Sequence, residues 1–378
     1  MFDFIPLLAN IVTFVLIMKQ VVLSVTNNLE EDQRVNKVAL SLKKMGYEVL
    51  VVGTNNTECH DYNPGYKTRI LNVVFKKGFL FYAEYNLRLL LFLLTHTFDV
   101  YVANDTDTLM ANYVASKLKG TQLVVDLHEL FPEVPEVVNR KKVKWVWTKI
   151  EDAILPHIKH GYTVCQSIAD YYKNRYGITL QVVRNLPSYK KYEGRKDLFK
   201  EFGDKKVILY QGCVNEGRGI EWIMDAMKHV DNAVFIVIGQ GDLYEELKNK
   251  AAEQFPDKVF FYGRKPYADL INYTLSADLG VCLLKNQGLS YYYALPNRVF
   301  DYMQAHIPIL ATAFPEISRI VNTEKTGLTL SSEDPKKIAE VIQFLLRQKV
   351  DHDNFERAAS VYNWENEEKV LHTIYENL

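Results

Sequence analysis

Four cysteines in 378 residues are too few and too scattered to support a covalent framework. Cys59, Cys165, Cys213 and Cys282 show no C-x-x-C spacing, and three of them sit in apolar, strand-like runs. Buried, reduced thiols of a cytoplasmic protein are the expectation. An excess of one charge is also missing. Against 46 Asp and Glu stand 45 Lys and Arg, so no overall field draws the chain onto DNA or RNA, and nucleic acid is not an expected partner. The nine histidines fall in no H-E-x-x-H or comparable spacing, and no metal site is expected.

Long hydrophobic runs are lacking, with one exception at the start. Phe4 to Met18 is almost wholly apolar, but Asp3 precedes it where a signal peptide carries positive charge. At about fifteen residues the run falls short of the roughly 20 that span a bilayer. Two readings of residues 1–18 stay open: translation that starts at Met18, directly before a convincing strand, or a short interfacial anchor.

What the chain does have is 48% apolar residues and length enough for two cores of ordinary size. From Lys19 onward, short β-branched runs alternate with segments of helical period, the pattern of a parallel sheet wrapped by helices. The first series has strands at 21–25, 48–53, 99–103, 122–127, 162–166 and 181–185, with helices at 32–45, 84–94, 107–118, 143–157 and 167–176. Residues 187–206 are charged and punctuated by Pro and Gly, and they read as a linker. A second series follows, with strands at 207–211, 233–239, 258–263, 278–284, 308–312 and 327–330. Two doubly wound domains, 19–186 and 207–360, then face each other across a cleft, with ligands at the carboxyl ends of the strands.

Four stretches carry a family resemblance: EDQRVNKVALSLKKMGYEVLVVG from Glu31, NDTDTLMANYVASKLKGTQLVVDLHELFPE from Asn104, YQGCVNEGRGIEWIMDAM from Tyr210, and LSYYYALPNRVFDYMQAHIPILATAFPE from Leu289. Their order and intervals resemble the retaining family-four glycosyltransferases of the GT-B fold, especially bacterial members that make surface polysaccharides. The resemblance implies an acceptor domain, a nucleotide-sugar donor domain, and a terminal helix over 361–378 that crosses back to the first domain. It also implies transfer of a sugar to a glycan or lipid-linked glycan.

The same resemblance assigns residues. Asp301 stands at the second Glu of the family's E-x7-E motif, where a carboxylate accepts both ribose hydroxyls; Tyr293 replaces the first Glu and leaves the sugar preference open. Arg218 stands where the family grips the diphosphate, and its fork suits phosphate oxygens. Cys213 replaces a second basic residue, whose charge Lys265 or equally Arg264 could supply. A helix beginning at Pro296-Asn297 aims backbone N–H groups at a donor phosphate. By resemblance His128 contacts the donor sugar, where its ring or carbonyl would steady positive charge at the anomeric carbon. Further donor contacts are expected from Tyr291 and from Gly241 in the Gly239-Gln240-Gly241 turn, though packing accounts for most of Tyr291 to Tyr293 and a plain turn for the glycines. Asp32 and Arg34 sit where relatives approach the diphosphate and acceptor; helix capping explains Asp32 equally well.

No enzymic nucleophile is evident, so the resemblance implies front-face substitution in which the departing phosphate deprotonates the acceptor. No cofactor beyond the donor substrate is expected. A basic and aromatic run from Arg140 to Trp147 fits either a membrane-surface contact or an ordinary solvated face with both Trp in the core. The expected location is the cytoplasm, at the inner face of the membrane if the acceptor is lipid-linked. Two rivals share the fold: a nucleotide-sugar epimerase, and a catalytically silent nucleotide-binding relative.

Overall fold

The structure, a computed structural model, describes residues 18–27, 29–30, 32–54, 63–192, 194 and 196–378. The apolar run at 1–17 and Cys59 lie outside the described residues. Two parallel sheets organise the chain. The first has seven strands: β1 Gln20–Ser24, β2 Glu48–Thr54, β3 Lys67–Leu71, β4 Val100–Asn104, β5 Gln122–Leu127, β6 His160–Thr163 and β7 Gln181–Val182, in the order β3-β2-β1-β4-β5-β6-β7. The second has six: β8 Lys206–Gln211, β9 Ala233–Ile238, β10 Val259–Gly263, β11 Leu279–Cys282, β12 Ile309–Thr312 and β13 Gly327–Leu330, in the order β10-β9-β8-β11-β12-β13. Each sheet changes winding direction beside its first strand, β1 or β8, where ligands of such sheets collect.

The strands form where the sequence can be covered on both faces. Every residue of β4 and β9 is buried. Strand β3, KTRIL, is the exception: it is a polar edge strand paired only with β2, and the periodicity of the sequence does not announce it. The helix expected from residue 84 runs from Gly78 to Thr95, because its first turn is apolar yet exposed and so breaks the pattern. By length and composition this is a helix that could cross a membrane, but Phe81, Tyr85, Leu89 and Leu93 bury one face in the first core.

The terminal helix Trp364–Glu376 packs on the first domain. Trp364, Leu371, Ile374 and Tyr375 join the core built on β1, and Trp364 Nε1 donates to Ser41 Oγ at 3.0 Å. Residues of the 187–206 segment lie against the second domain, with Lys196 N donating to Leu275 O and Leu198 N to Ser276 Oγ. The domains also touch directly. Glu316 accepts from Ser167 N at 2.8 Å and Ser167 Oγ at 2.6 Å, and Cys165 Sγ donates to Tyr293 O.

Candidate active site

The carboxyl ends of β1, β5 and β8 face a cavity of about 610 Å³ between the domains. Arg34, His128 and Glu129 line it from the first domain, and Arg218, Tyr291 and Asn297 from the second. His128 follows β5 directly and its side chain is only 17% exposed. Its Nδ1 lies 3.2 Å from Asp105 Oδ2, its Nε2 lies 3.1 Å from Asp126 Oδ2, and its backbone N–H donates to Asp105 Oδ1 at 2.7 Å. The Nε2 contact is a charge pairing rather than an aligned hydrogen bond. Burial lowers the imidazole pKa, but Asp105 and Asp126 outweigh it and raise the group to about 9. A ring that is itself cationic does not steady a neighbouring positive charge, so among the roles expected of His128 the carbonyl oxygen is the one the electrostatics allow.

Asp105 reaches His128 because the chain leaves β4 in a left-handed conformation, with φ 58°, before helix Thr106–Lys119. Neither Asp105 nor Asp126 was among the expected site residues. The sequence signal was their place at the carboxyl ends of β4, which borders the switch point, and of its neighbour β5.

Arg34 differs from its expected role. Although it lines the cleft, its guanidinium is 3% exposed and engaged: Nη2 and Nε donate to Asp126, and Nη1 donates to Val183 O at 2.7 Å. A buried guanidinium requires such partners, so Arg34 holds Asp126 rather than reaching for phosphate. Asp32 caps helix Gln33–Lys44 through Val35 N.

Arg218 lies in the loop after β8, with its guanidinium 5.0 Å from the centre of the Tyr291 ring. Its Nε is buried and has no hydrogen-bond partner. Tyr292 and Tyr293 pack instead on each other, and Tyr292 on Phe314. Helix Asn297–Gln304 begins after Pro296 without a side-chain cap, leaving its first turn open to the cleft at Asn297. The next residue, Arg298, was not anticipated: it is buried beneath the Gly212 turn, 4.5 Å from the Tyr210 ring centre.

Asp301 does not share this cavity. It lines a second one, of about 300 Å³, with Lys37, Gln211, Thr274 and Gln304, and accepts from Gln211 Nε2 at 2.9 Å. Burial raises its carboxyl to about 6, with Lys37 pulling the other way; Lys37 itself is lowered to about 8 by burial. The separation runs along the helix axis, since Asn297 and Asp301 are four residues apart on one face. Asn297 and Phe300 face one cavity, whereas Asp301 and Gln304 face the other.

Three expected donor contacts line neither cavity. Lys265 lies over the rings of Tyr262 and Tyr273, which hold its cation by cation–π attraction, and Arg264 is exposed. Gly241 is required by backbone packing: a Cβ there would come within 2.5 Å of Val214 O. Gly239 is the tighter case, because its Cβ would sit 1.8 Å from Gly212 O.

Comparison with known proteins gives this arrangement its context. Residues 33–186 match the model of Glycosyltransferase Family 4, and residues 195–361 match that of Glycosyl transferases group 1. A curated relative, the probable glycosyltransferase WbjE of Pseudomonas aeruginosa, is 33% identical over 147 residues, which cover 38% of this chain and 36% of that protein. The chain spans between 22% and 54% of the length of the curated relatives it matches. Among solved structures, sucrose-phosphate synthase from Thermosynechococcus elongatus superposes with a TM-score of 0.75 at 16% identity, covering 95% of this chain and 99% of that one. HepE of Anabaena, solved in complex with UDP and glucose, gives 0.74 at 12% identity over 95% and 100%. The fold is thus GT-B. The chain belongs to the family-four, group-1 glycosyltransferases.

Proposed function

We propose that the protein transfers a sugar, with retention of anomeric configuration, from a nucleotide-sugar donor held by the second domain to a glycan or lipid-linked acceptor held by the first. The observation that carries this reading is the adjacency of the two cavities along helix Asn297–Gln304. One helical turn, about 6 Å of rise, separates Asn297 from Asp301, so a single extended ligand reaches both. Helix Gln33–Lys44 repeats the relation on the opposite wall, with Gln33 and Arg34 in one cavity and Lys37 in the other.

In this reading the nucleoside occupies the smaller cavity, where Asp301 accepts the ribose hydroxyls. The diphosphate lies between the open helix start at Asn297 and Arg218, whose unpaired Nε–H offers a donor to the leaving phosphate. The sugar extends to the His128 carbonyl. Departure of the phosphate supplies the base for the acceptor hydroxyl, and the protein contributes orientation and electrostatic stabilisation. Glu129, raised to about 7 by burial despite His128, faces the sugar end of the cleft.

Surface-polysaccharide assembly at the inner face of a membrane is the setting we propose. Trp147 is buried between Tyr82 and Phe131, but Trp145 is exposed beside exposed Arg140, Lys141 and Lys142, which supports contact with anionic headgroups. Thermal-shift titration with UDP, GDP, ADP and their sugars, followed by transfer assays with the tightest donor, tests the function. A wild-type protein that binds none of these ligands removes it.

A further inference from the structure

Two more cavities adjoin the cleft in series. The first, of about 390 Å³, shares Glu129, Arg218 and Tyr291 with the cleft and adds Asp105, Asp107 and Glu136 to its walls. The second, of about 380 Å³, shares Tyr82 and Asp107 with the first and opens between helices Gly78–Thr95 and Lys141–Ile154. Its walls are Phe79, Met110, Val143, Val146 and Ile150, with Arg140 and Lys142 among them. Along this series the lining changes from apolar with two cations, to acidic, to the donor cleft.

The surface around the outermost cavity continues the pattern. Phe79 of its wall is exposed, and so are Val74, Phe75, Lys77 and Leu80 next to it in sequence and Lys141 and Trp145 on the facing helix. Apolar side chains left in water on this scale mark a surface that meets another apolar phase. The cations decide its nature: a neutral apolar partner would leave Arg140 and Lys142 uncompensated beside the cavity, whereas a phosphate would pair with them.

Resting on the transferase reading above, we propose that the cavity between helices Gly78–Thr95 and Lys141–Ile154 binds the hydrocarbon chain of a lipid phosphate that carries the acceptor sugar. Arg140 and Lys142 take the phosphate. The sugar then lies in the acidic chamber, where Glu129 and Glu136 accept its hydroxyls, and the hydroxyl to be glycosylated points past Tyr291 into the cleft. Hydrocarbon, phosphate and sugar thus meet apolar, basic and acidic walls in the order in which they are joined.

The test uses the full chain and farnesyl phosphate, with affinity read by isothermal titration, and UDP, GDP and ADP binding measured on the same samples. Ala83→Trp fills the cavity from an exposed helix position, and Met110→Glu places a charge in its wall. Each is expected to weaken farnesyl phosphate at least tenfold while leaving nucleoside diphosphate affinity unchanged. Paired Arg140→Glu and Lys142→Glu should weaken it severalfold and flatten its salt dependence, and farnesol should bind less tightly than the phosphate. Wild-type protein that binds a nucleotide but no farnesyl phosphate overturns the proposal and spares the transferase reading. Equal lipid affinity in wild type, Ala83→Trp and Met110→Glu overturns it as well. Failure of nucleotide binding alone counts against the transferase reading.

Discussion

Arg34 and Asp126 form a buried, forked ion pair that ends at the cleft: Nη2 lies 2.6 Å from Oδ1, Nε 3.0 Å from both carboxylate oxygens, and Oδ2 3.1 Å from His128 Nε2. The pair is a scaffold for the histidine. It fixes the carboxylate that fixes the ring.

Arg34→Met should therefore destabilise the first domain by about 3–5 kcal/mol, because it strands a buried carboxylate. Urea unfolding followed by tryptophan fluorescence measures it. A loss under about 1 kcal/mol would mean that Asp126 finds another partner or water.

His128 titrates near 9 in the folded protein, against 6.5 unperturbed. A raised histidine contributes stability that is complete below about 6.5 and lost as pH rises through about 9. Unfolding free energies across that window should fall more steeply in wild type than in His128→Gln. Parallel curves would show that the ring is not charged in the native state.

Asp301 is shifted in the same direction, but by burial rather than by charge pairing. Its carboxyl titrates near 6 when folded, so the native state holds the proton longer than the unfolded chain, and its contribution to stability declines as pH rises from about 4 to about 6. Donor binding needs the ionised form and should strengthen over the same rise. Asp301→Asn should weaken the donor about tenfold or more and abolish that pH dependence, since the paired acceptor oxygens for ribose are lost. Calorimetric titration at pH 5 and pH 7 reads both effects; unchanged affinity at pH 7 would remove Asp301 from the donor site.

Arg218→Ala should lower kcat by about 100-fold with little change in melting temperature, because its Nε–H has no protein partner to orphan. Arg218→Lys should recover part of the rate by restoring charge without the fork. Steady-state kinetics beside differential scanning calorimetry would separate this outcome from misfolding.

Trp364→Ala should cost about 3–5 kcal/mol, as a large buried side chain at the start of the terminal helix is removed from the first core. Limited proteolysis should then release the segment from residue 364 onward. A resistant variant would mean that Leu371 and Tyr375 hold the helix unaided.

Much of the fold was legible because buried parallel strands must be apolar along their length; β4 and β9 stand out for this reason. Strand β3 and the first turn of helix Gly78–Thr95 were not, since both are exposed and nothing forces their pattern. At the site, Arg218, His128 and Asn297 meet in one cavity as their places after strands and at a helix start suggested, with Tyr291 beside them, whereas Asp301, expected with them, lines the neighbouring cavity. Lys265 and Arg264 could not be told apart by their neighbours in sequence, and neither lines the cleft.

Apart from β3, the order of the buried strands and the helices between them, and hence the two-sheet architecture, was determined by the sequence alone, because local period and burial leave a local record. Which charges meet was decided by the tertiary structure. Arg34 finds Asp126 at a separation of 92 residues, and Lys37 faces Asp301 from the other domain. Pairings of that kind depend on where folded elements come to rest, and no spacing along the chain records them.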